Sequence, residues 1–413
     1  MDNTNRRVVV TGLGAVTPLG LNVEDTWQAM MNCECGIAPI TLFDASKVKG
    51  KVAAEVKGFN PRDYMEKAEV LRADRFTHFA IAAADQAVKE SGLLGAYEPE
   101  RIATYFGSGI GGMTTFETET RKLIAKGPSR VSPFFVPMEI ANMAAGQIAI
   151  RFNFQGPALP AVTACASGSN AIGEALRLIR HGYADAVITG GTEAPITELG
   201  VAGFANMQAL SLATDPMAAC LPFDKRRTGF VMGEGAAALV LEEYEHAKAR
   251  GAHIYAEVAG YGSTCDAYHI TAIRMDAKGG TAAMVQATAE AGYKPGEKVY
   301  VNAHGTGTPL NDICETLAIK NTFGERAYTD VIVSSTKSMT GHMLGAAGAI
   351  EAIVCIKTLE TGIVAPTIHL EELDEKCDLD YVPNAPRKAD IDLCVSNSFG
   401  FGGHNACLAF RKI

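Results

Sequence analysis

Val162-Thr163-Ala164-Cys165-Ala166-Ser167-Gly168-Ser169-Asn170 is the stretch from which the rest of the chain can be read. An apolar approach over residues 158–162 leads into it. Ile172, Leu176 and Ile179 leave it at i, i+4 and i+7, the spacing of one helix face. Arg180-His181-Gly182 then closes that helix with basic residues before a glycine. One cysteine therefore stands at a strand-to-helix turn, among residues too small to cover it. Such a turn can present a nucleophile as an exposed elbow does. The partial positive charge of a helix start favours thiolate over thiol, so the sulfur is expected to be activated. A small cysteine at a tight strand–helix junction is more often simple packing, and the remaining sequence has to decide.

The 413 residues are enough for a large core or for two fused units. Hydrophobic residues make up 47% and charged residues 20%, as in ordinary soluble proteins. A net charge of −9 argues against a nucleic-acid surface. The ten cysteines are scattered, without a C-x-x-C or zinc spacing, and Cys33 and Cys35 are too close for a common disulfide or metal motif. That usage implies a reducing compartment, and a cytoplasmic protein is expected. Arg6-Arg7 before an apolar run mimics a signal peptide, but Gly12, Gly14, Pro18 and Gly20 break the run. No apolar stretch reaches the roughly 20 residues that span a bilayer.

Taken in order, residues 7–11 read as a buried strand and 72–91 as a helix. Residues 102–106 form a strand that ends in Gly107-Ser108-Gly109-Ile110-Gly111-Gly112. After the cysteine unit, residues 186–189 form a strand closed by Gly190-Gly191-Thr192-Glu193. A second series starts near Ile254, where residues 254–262 echo the first strand and its glycine turn. Helices over 281–291, 313–323 and 341–358 and strands over 299–301 and 331–334 follow. Two β/α series of similar length imply an internal duplication of a doubly wound unit, divided into 1–253 and 254–413. No low-complexity linker separates them, so one shared body is expected. Gly107, Gly109 and Gly112 satisfy G-x-G-x-x-G, but no acidic residue stands at the ribose-binding distance. They read instead as tight turns beside a crowded site.

Three strand-end segments could complete a site. His304 opens His304-Gly305-Thr306-Gly307-Thr308-Pro309, and Asp312 and Glu315 follow in capping-box spacing. Strand-end loops are where α/β sites usually lie, although a polar loop histidine is the commoner case. Thr336-Lys337-Ser338-Met339-Thr340-Gly341-His342 follows the strand 331–334. A histidine at a helix start has its charged form disfavoured, and a neutral ring there could donate to a substrate oxygen. Lys337 would bring positive charge to the site, or form an ion pair with Glu351. Ser396-Asn397-Ser398-Phe399-Gly400-Phe401-Gly402-Gly403-His404-Asn405 sets two aromatics among three glycines, as in a movable loop with an apolar plug.

Together these stretches resemble the β-ketoacyl-acyl carrier protein synthases of the thiolase superfamily, along essentially the whole chain. The resemblance is carried by VTGLGAVTPLG, GSGIGG, GPSRVSPFFVPM, VTACASGSNAIG, TGGTEA, PFDKRRTGFVMGEGAAALVLEE, NAHGTGTPLND, SSTKSMTGHMLGAAGAIE and SNSFGFGGHN, in family order. It implies a thiolase-like duplicated α-β-α-β-α five-layered fold and a homodimer. It also implies decarboxylative Claisen condensation of an acyl group with malonyl-acyl carrier protein, without a required cofactor. Carried over by motif, Cys165 accepts the acyl chain, and His304 and His342 bind the malonyl thioester oxygen. Lys337 tunes the charge around them. The N–H groups of Cys165 and Phe401 form the oxyanion hole, and Phe401 is the gating aromatic. Thr306 and Thr308 match pantetheine contacts, and Thr271 joins them as a substrate-binding residue. Ile110, Phe204 and, from the partner subunit, Phe135 match acyl-pocket positions. Ile110 is the residue found in type II elongating enzymes, where type I has a smaller one. Lys67, Arg72 and Arg130 are the implied carrier-docking residues, within the basic clusters Lys67, Arg72, Arg75 and Arg121, Lys122, Lys126, Arg130. Asn302, Glu351, Ser396 and Asn397 match a structural monovalent-cation site.

Three positions depart from the family pattern. Leu221 stands where an arginine is usual, Thr228 where an aspartate is usual, and Gln208 where a basic docking residue is common. Other readings stay open on sequence alone: a polyketide or polyene ketosynthase, or a non-elongating partner subunit. The subunit reading is weakened by the intact Cys165 and histidines. A thiolase would need a second reactive cysteine, and neither Cys394 nor Cys407 has the C-x-G-x-G setting.

Overall fold

Short apolar runs, unbroken by polar residues, become strands covered on both faces. In the computed structural model, which describes residues 6–413, ten strands build the main sheet. They are β1 (Val8–Val16), β2 (Ile102–Gly107), β3 (Ala158–Ala161), β4 (Ala186–Glu193), β5 (Gly235–Glu243), β6 (Ala256–Cys265), β7 (Val299–Asn302), β8 (Val331–Ser334), β9 (Leu393–Gly400) and β10 (His404–Arg411). Their order is β3-β2-β4-β5-β1-β6-β10-β9-β7-β8. Read inward from each edge, the first half runs 3-2-4-5-1 and the second 8-7-9-10-6, the same path five strands later. The pairing senses repeat too. β3-β2-β4 and β8-β7-β9 are parallel, whereas β4-β5-β1 and β9-β10-β6 are antiparallel. A two-pair seam, Val9 with Glu257 and Val10 with Ala256, joins the halves.

The helices of nine or more residues are α1 (Val23–Met31), α2 (Arg75–Ser91), α3 (Met113–Lys126), α4 (Met143–Phe152), α5 (Ser167–Arg180), α6 (Glu198–Asn206), α7 (Lys278–Glu290), α8 (Pro309–Phe323) and α9 (Ala347–Thr361). α5 and α9 touch strands of both halves and lie between them. Their apolar faces, with Ile172, Leu176, Ile350 and Ile353, share one central core. Phe76, Phe79 and Ala80 of α2 pack on the outer face of the first half, with Ile148 of α4. Ala283 and Met284 of α7 and Ile319 of α8 cover the second. The layers are therefore α-β-α-β-α, as the family resemblance implies.

Some boundaries differ from the sequence reading for local reasons. α2 begins at Arg75, because the Asp74 side chain accepts from Phe76 N at 3.2 Å and caps it. α8 begins at Pro309, which tolerates the first helical position because it has no N–H to satisfy there. The helix expected over 341–358 is broken. A single turn, Lys337–Thr340, is followed by a bend and the tight turn Leu344–Ala346, and α9 starts only at Ala347. Left-handed backbone at Gly341 (φ 64°) and Leu344 (φ 45°) makes the break.

Candidate active site

The expected site residues stand on loops after the C-terminal ends of strands from both halves: Ile110 after β2, Cys165 after β3, His304 after β7, Lys337 and His342 after β8, and Phe401 after β9. Cys165 is the middle residue of a three-residue turn between β3 and α5. Ala164 before it is left-handed, with φ 51°. Ser167 pins the elbow: its Oγ accepts from Thr163 N at 2.9 Å and donates to the Ala164 carbonyl at 2.7 Å. Gly400 crosses so closely that a Cβ there would lie 2.6 Å from the Thr163 oxygen. The sulfur faces a cavity of about 420 Å³, whose lining includes Cys165, His304, His342, Thr306, Thr308 and Phe401.

His304 and His342 meet edge to face, with ring centroids 5.3 Å apart. Phe399 packs on His304 at 5.6 Å and Phe230 on His342 at 5.1 Å. Phe204 continues the series, 5.7 Å from Phe230 and 6.3 Å from Phe401. This apolar wall has an electrostatic effect. Burial holds both histidines well below the usual imidazole range, and the Lys337 ammonium lowers them further. Both rings are therefore neutral. Each Nδ1 is buried without a partner. Placing the ring hydrogen on Nε2 leaves no N–H stranded at Nδ1.

The expectation for His342 needs correcting in its cause. It lies on the bend before α9 rather than at a helix start, so burial and Lys337 account for the shift. Cys165 needs a larger correction. Helix-start activation was expected, but burial pushes the thiol up to about 12, with Lys337 working against it and Glu193 adding to it. The resting group is a thiol, and its proton has to leave as the sulfur attacks.

Asp312 and Glu315 do not form a capping box, because both lie inside α8 and reach back to the loop before it. Glu315 accepts from His304 N at 2.8 Å and Gly305 N at 2.7 Å. Asp312 accepts from Phe223 N at 2.8 Å and Gly307 N at 3.2 Å. Lys337 is buried and ion-paired with Glu351 of α9. Burial pushes the Glu351 carboxyl up to about 7, against the pull of that lysine.

With this geometry in view, the likeness to known proteins is specific. The model for the Beta-ketoacyl synthase N-terminal domain matches residues 5–247, and that for the C-terminal domain matches 255–371. The chain belongs to the β-ketoacyl synthase family. It is 52% identical over 409 residues to 3-oxoacyl-[acyl-carrier-protein] synthase 2 of Synechocystis, covering 98% of each chain. The namesake from Staphylococcus aureus is 53% identical over 409 residues, covering 99% of each. A solved type II polyketide ketosynthase, in complex with its acyl-carrier protein, superimposes with a TM-score of 0.91 at 33% identity, over 99% of each chain.

Other expected residues of the synthase fall in different places. Thr271 lines the cavity, as does Gln208, and the Thr306 and Thr308 hydroxyls pair at 3.0 Å. Ile110 and Phe204 lie off that lining, in the apolar cluster that contains Cys165, Phe230 and Leu344. Phe135, on the short helix Phe135–Glu139, is absent from the lining of its own chain's cavity. Thr228 bonds to Ser211 at 3.3 Å, and Leu221 is buried. The basic clusters shrink. Arg75 is held by Glu234 at 2.6 Å, Arg121 by Glu117 and Glu198 at 2.7 and 2.6 Å, and Lys122 by Glu119 at 2.5 Å. Among the described residues, Lys67, Arg72, Lys126 and Arg130 are exposed without an ion pair.

The four expected cation ligands all carry a buried oxygen with no partner: Asn302 Oδ1, Glu351 Oε2, Ser396 Oγ and Asn397 Oδ1. Asn302 sits opposite Ser396 in the β7–β9 register, and both face the central layer that holds Glu351. Asn397 differs. Its amide donates to Glu315 Oε1 at 3.1 Å on the other face of the sheet. Sequence reasoning passed over two residues here, Phe230 and Glu193. The carboxylate at the end of a buried strand was the available signal for Glu193.

Proposed function

We propose that this chain is a 3-oxoacyl-[acyl-carrier-protein] synthase of fatty acid elongation, with Cys165 as its nucleophile and His304 and His342 as its decarboxylating pair. The observation that carries this reading is one apolar cavity holding a lone thiol and two neutral imidazoles. In the first half-reaction the sulfur attacks the acyl thioester carbonyl and the carrier thiol leaves with the proton. The tetrahedral oxygen would rest on the N–H groups of Cys165 and Phe401. In the second, the malonyl carboxylate leaves as CO2, and its electron pair forms an enolate on the remaining thioester. Two neutral Nε2–H donors stabilise that oxygen without readily protonating the carbanion. The carbanion then attacks the acyl-Cys165 carbonyl, and the cysteine sulfur leaves as thiolate and takes a proton from solvent, the original proton having left on the first carrier thiol.

The same reading takes Thr271, Thr306 and Thr308 as contacts of the carrier's arm and Ile110 as a wall of the acyl pocket. Lys67, Arg72 and Arg130 are its docking cations. Phe135 reaches the pocket of a partner copy. A homodimer is supported by β3, an edge strand with Leu159 exposed on it and Val162 exposed just after it, because unpaired edges invite pairing. Asn302, Ser396 and Glu351 suit a structural monovalent cation, which would neutralise their stranded oxygens; Asn397 joins only by turning away from Glu315. We also read residues 1–253 and 254–413 as the two repeats. No helix of the described residues is long and apolar enough to cross a membrane, and we read the protein as cytoplasmic.

The test separates the half-reactions. Incubation with acyl-carrier donor followed by peptide mass analysis should find the adduct on Cys165, and C165A should form none. In H304A and H342A the adduct should persist while CO2 release falls about 10²–10³-fold, as when a transition-state donor is removed. An adduct elsewhere, or undiminished decarboxylation in both variants, refutes the assignment.

A further inference from the structure

Glu193 ends β4 with no solvent exposure, and the mechanism above gives it no role. Its carboxylate gathers four donors. Ser108 Oγ (3.0 Å), Gly109 N (2.7 Å) and Ile110 N (3.1 Å) come from the loop after β2. Gly345 N (2.9 Å) comes from the tight turn just after His342. The two loops touch each other at this point. A Cβ on Gly345 would lie 2.5 Å from Gly109 N and 2.6 Å from Glu193 Oε2. A Cβ on Gly109 would lie 2.9 Å from the same oxygen and 3.2 Å from the carbonyl oxygen of Ala164, beside Cys165. Thus the segments bearing Ile110, His342 and Cys165 converge over one carboxylate.

Two of these turns are strained. Leu344 (φ 45°) and Ala164 (φ 51°) occupy left-handed backbone, which side-chain-bearing residues rarely adopt and which neighbours have to hold in place. The cysteine elbow has its own clamp in Ser167. The Ile110 loop instead sends both the Gly109 and Ile110 N–H groups to Glu193.

We propose that Glu193 is a positioning residue that ties the Ile110 loop to the His342 turn, so that the acyl-pocket wall and the decarboxylating histidine hold one shared geometry. The inference rests on the condensing-enzyme reading above. A carboxylate can serve all four donors because both its oxygens only accept. Glutamine keeps the shape but turns an NH2 on one pair of donors, which releases either the Gly109–Gly345 contact or the Ser108–Ile110 contact.

The experiment compares E193Q with the wild type in three measurements: Cys165 acylation by a short donor, acylation by a long donor, and CO2 release by the short-acylated protein. We expect short-donor acylation within threefold of wild type. The long-to-short ratio should rise at least fivefold as the pocket wall loosens, and CO2 release should fall at least fivefold. G345A provides a second route, since its methyl group wedges the same two loops apart, and should give the same pattern if E193Q does not fold. A uniform change in all three measurements, or none, overturns the proposal. A wild type that forms no Cys165 adduct overturns the condensing-enzyme reading as well; a working wild type beside an unaltered E193Q overturns this inference alone.

Discussion

The molecule contains two elbows of the same build. In the first half, Ala164-Cys165-Ala166 forms a tight turn that leads into α5. In the second, Leu344-Gly345-Ala346 forms the same turn and leads into α9. Each opens on a left-handed residue that is not glycine, Ala164 or Leu344. Each places a glycine one residue into the helix that follows, Gly168 or Gly348, where the opposite elbow's chain passes. A Cβ on Gly168 would meet the Gly345 oxygen at 2.8 Å, and one on Gly348 would meet Ser169 Oγ at 2.1 Å. The difference is the middle residue, cysteine in one and glycine in the other. The two halves keep the same backbone path, and the proposed function divides the chemistry between them. On the proposed reading, the first half supplies the nucleophile and acyl pocket, and the second supplies both histidines and their lysine on segments it alone carries.

That division can be tested where it is sharpest. The second half holds a buried ion pair, Lys337 with Glu351, whereas the first half's buried Glu193, which ends a strand rather than standing on the helix after the elbow, is served by N–H and O–H donors instead. K337M should therefore destabilise the fold by about 3–5 kcal/mol, because it strands a buried charge. The double variant K337M/E351L should recover most of that loss. Chemical denaturation measures both, and equal losses in single and double variants would remove the pair from the stability account.

A second test uses pH. Below about 6.5 the unfolded chain protonates His304 and His342, whereas the folded chain resists, because burial and Lys337 hold their folded values lower. Their stabilising contribution is thus complete above 6.5 and is lost as pH falls. Glu315 and Glu351, each pushed up to about 7, act in the opposite sense, because their folded forms gain protons first as pH falls. The comparison with H342Q isolates the histidine. Wild type should lose about 1.4 kcal/mol per pH unit relative to H342Q as pH falls below 6.5. Parallel stability curves for the two proteins would mean that His342 titrates normally when folded.

The smallest expected effect lies at the surface of the first half. R130E should raise the KM for carrier-linked acyl substrate several-fold and leave a small pantetheine thioester unaffected. The difference should shrink in high salt, since exposed charges are screened over ~10 Å at about 0.1 M. Equal loss with both substrates would locate the damage in the pocket and remove Arg130 from docking.

Much of this arrangement was legible in the sequence because it lies at strand ends. The elbow around Cys165, the glycine loops at His304 and Phe401, and Thr306 and Thr308 all reach one cavity. The repeated β/α pattern pointed to a duplicated doubly wound unit, and the five layers were what the family resemblance implied. What was not legible depends on burial. The Cys165 thiol is raised because its surroundings exclude water, which the small residues beside it could not reveal. Asp312 and Glu315 have capping-box spacing, but Pro309 starts the helix early and turns them into grips on the preceding loop. The break at His342 depends on a left-handed leucine, a conformation with no sequence signal. Arg75 reads as free charge until Glu234, far away in the chain, arrives beside it.

Glu193 also settles how many working centres one chain can have. The Gly345 amide is the second elbow's counterpart of the Cys165 amide, and it is already occupied by Glu193 Oε2, at 2.9 Å. On the proposed reading the first cradle receives a visiting, short-lived negative oxygen; the second is already filled by a carboxyl oxygen of the protein itself. Restoring a thiol at position 345 would therefore not restore a second centre, because the seat for the developing charge is taken. Each chain should load a single acyl group, and a dimer two, however symmetric the backbone.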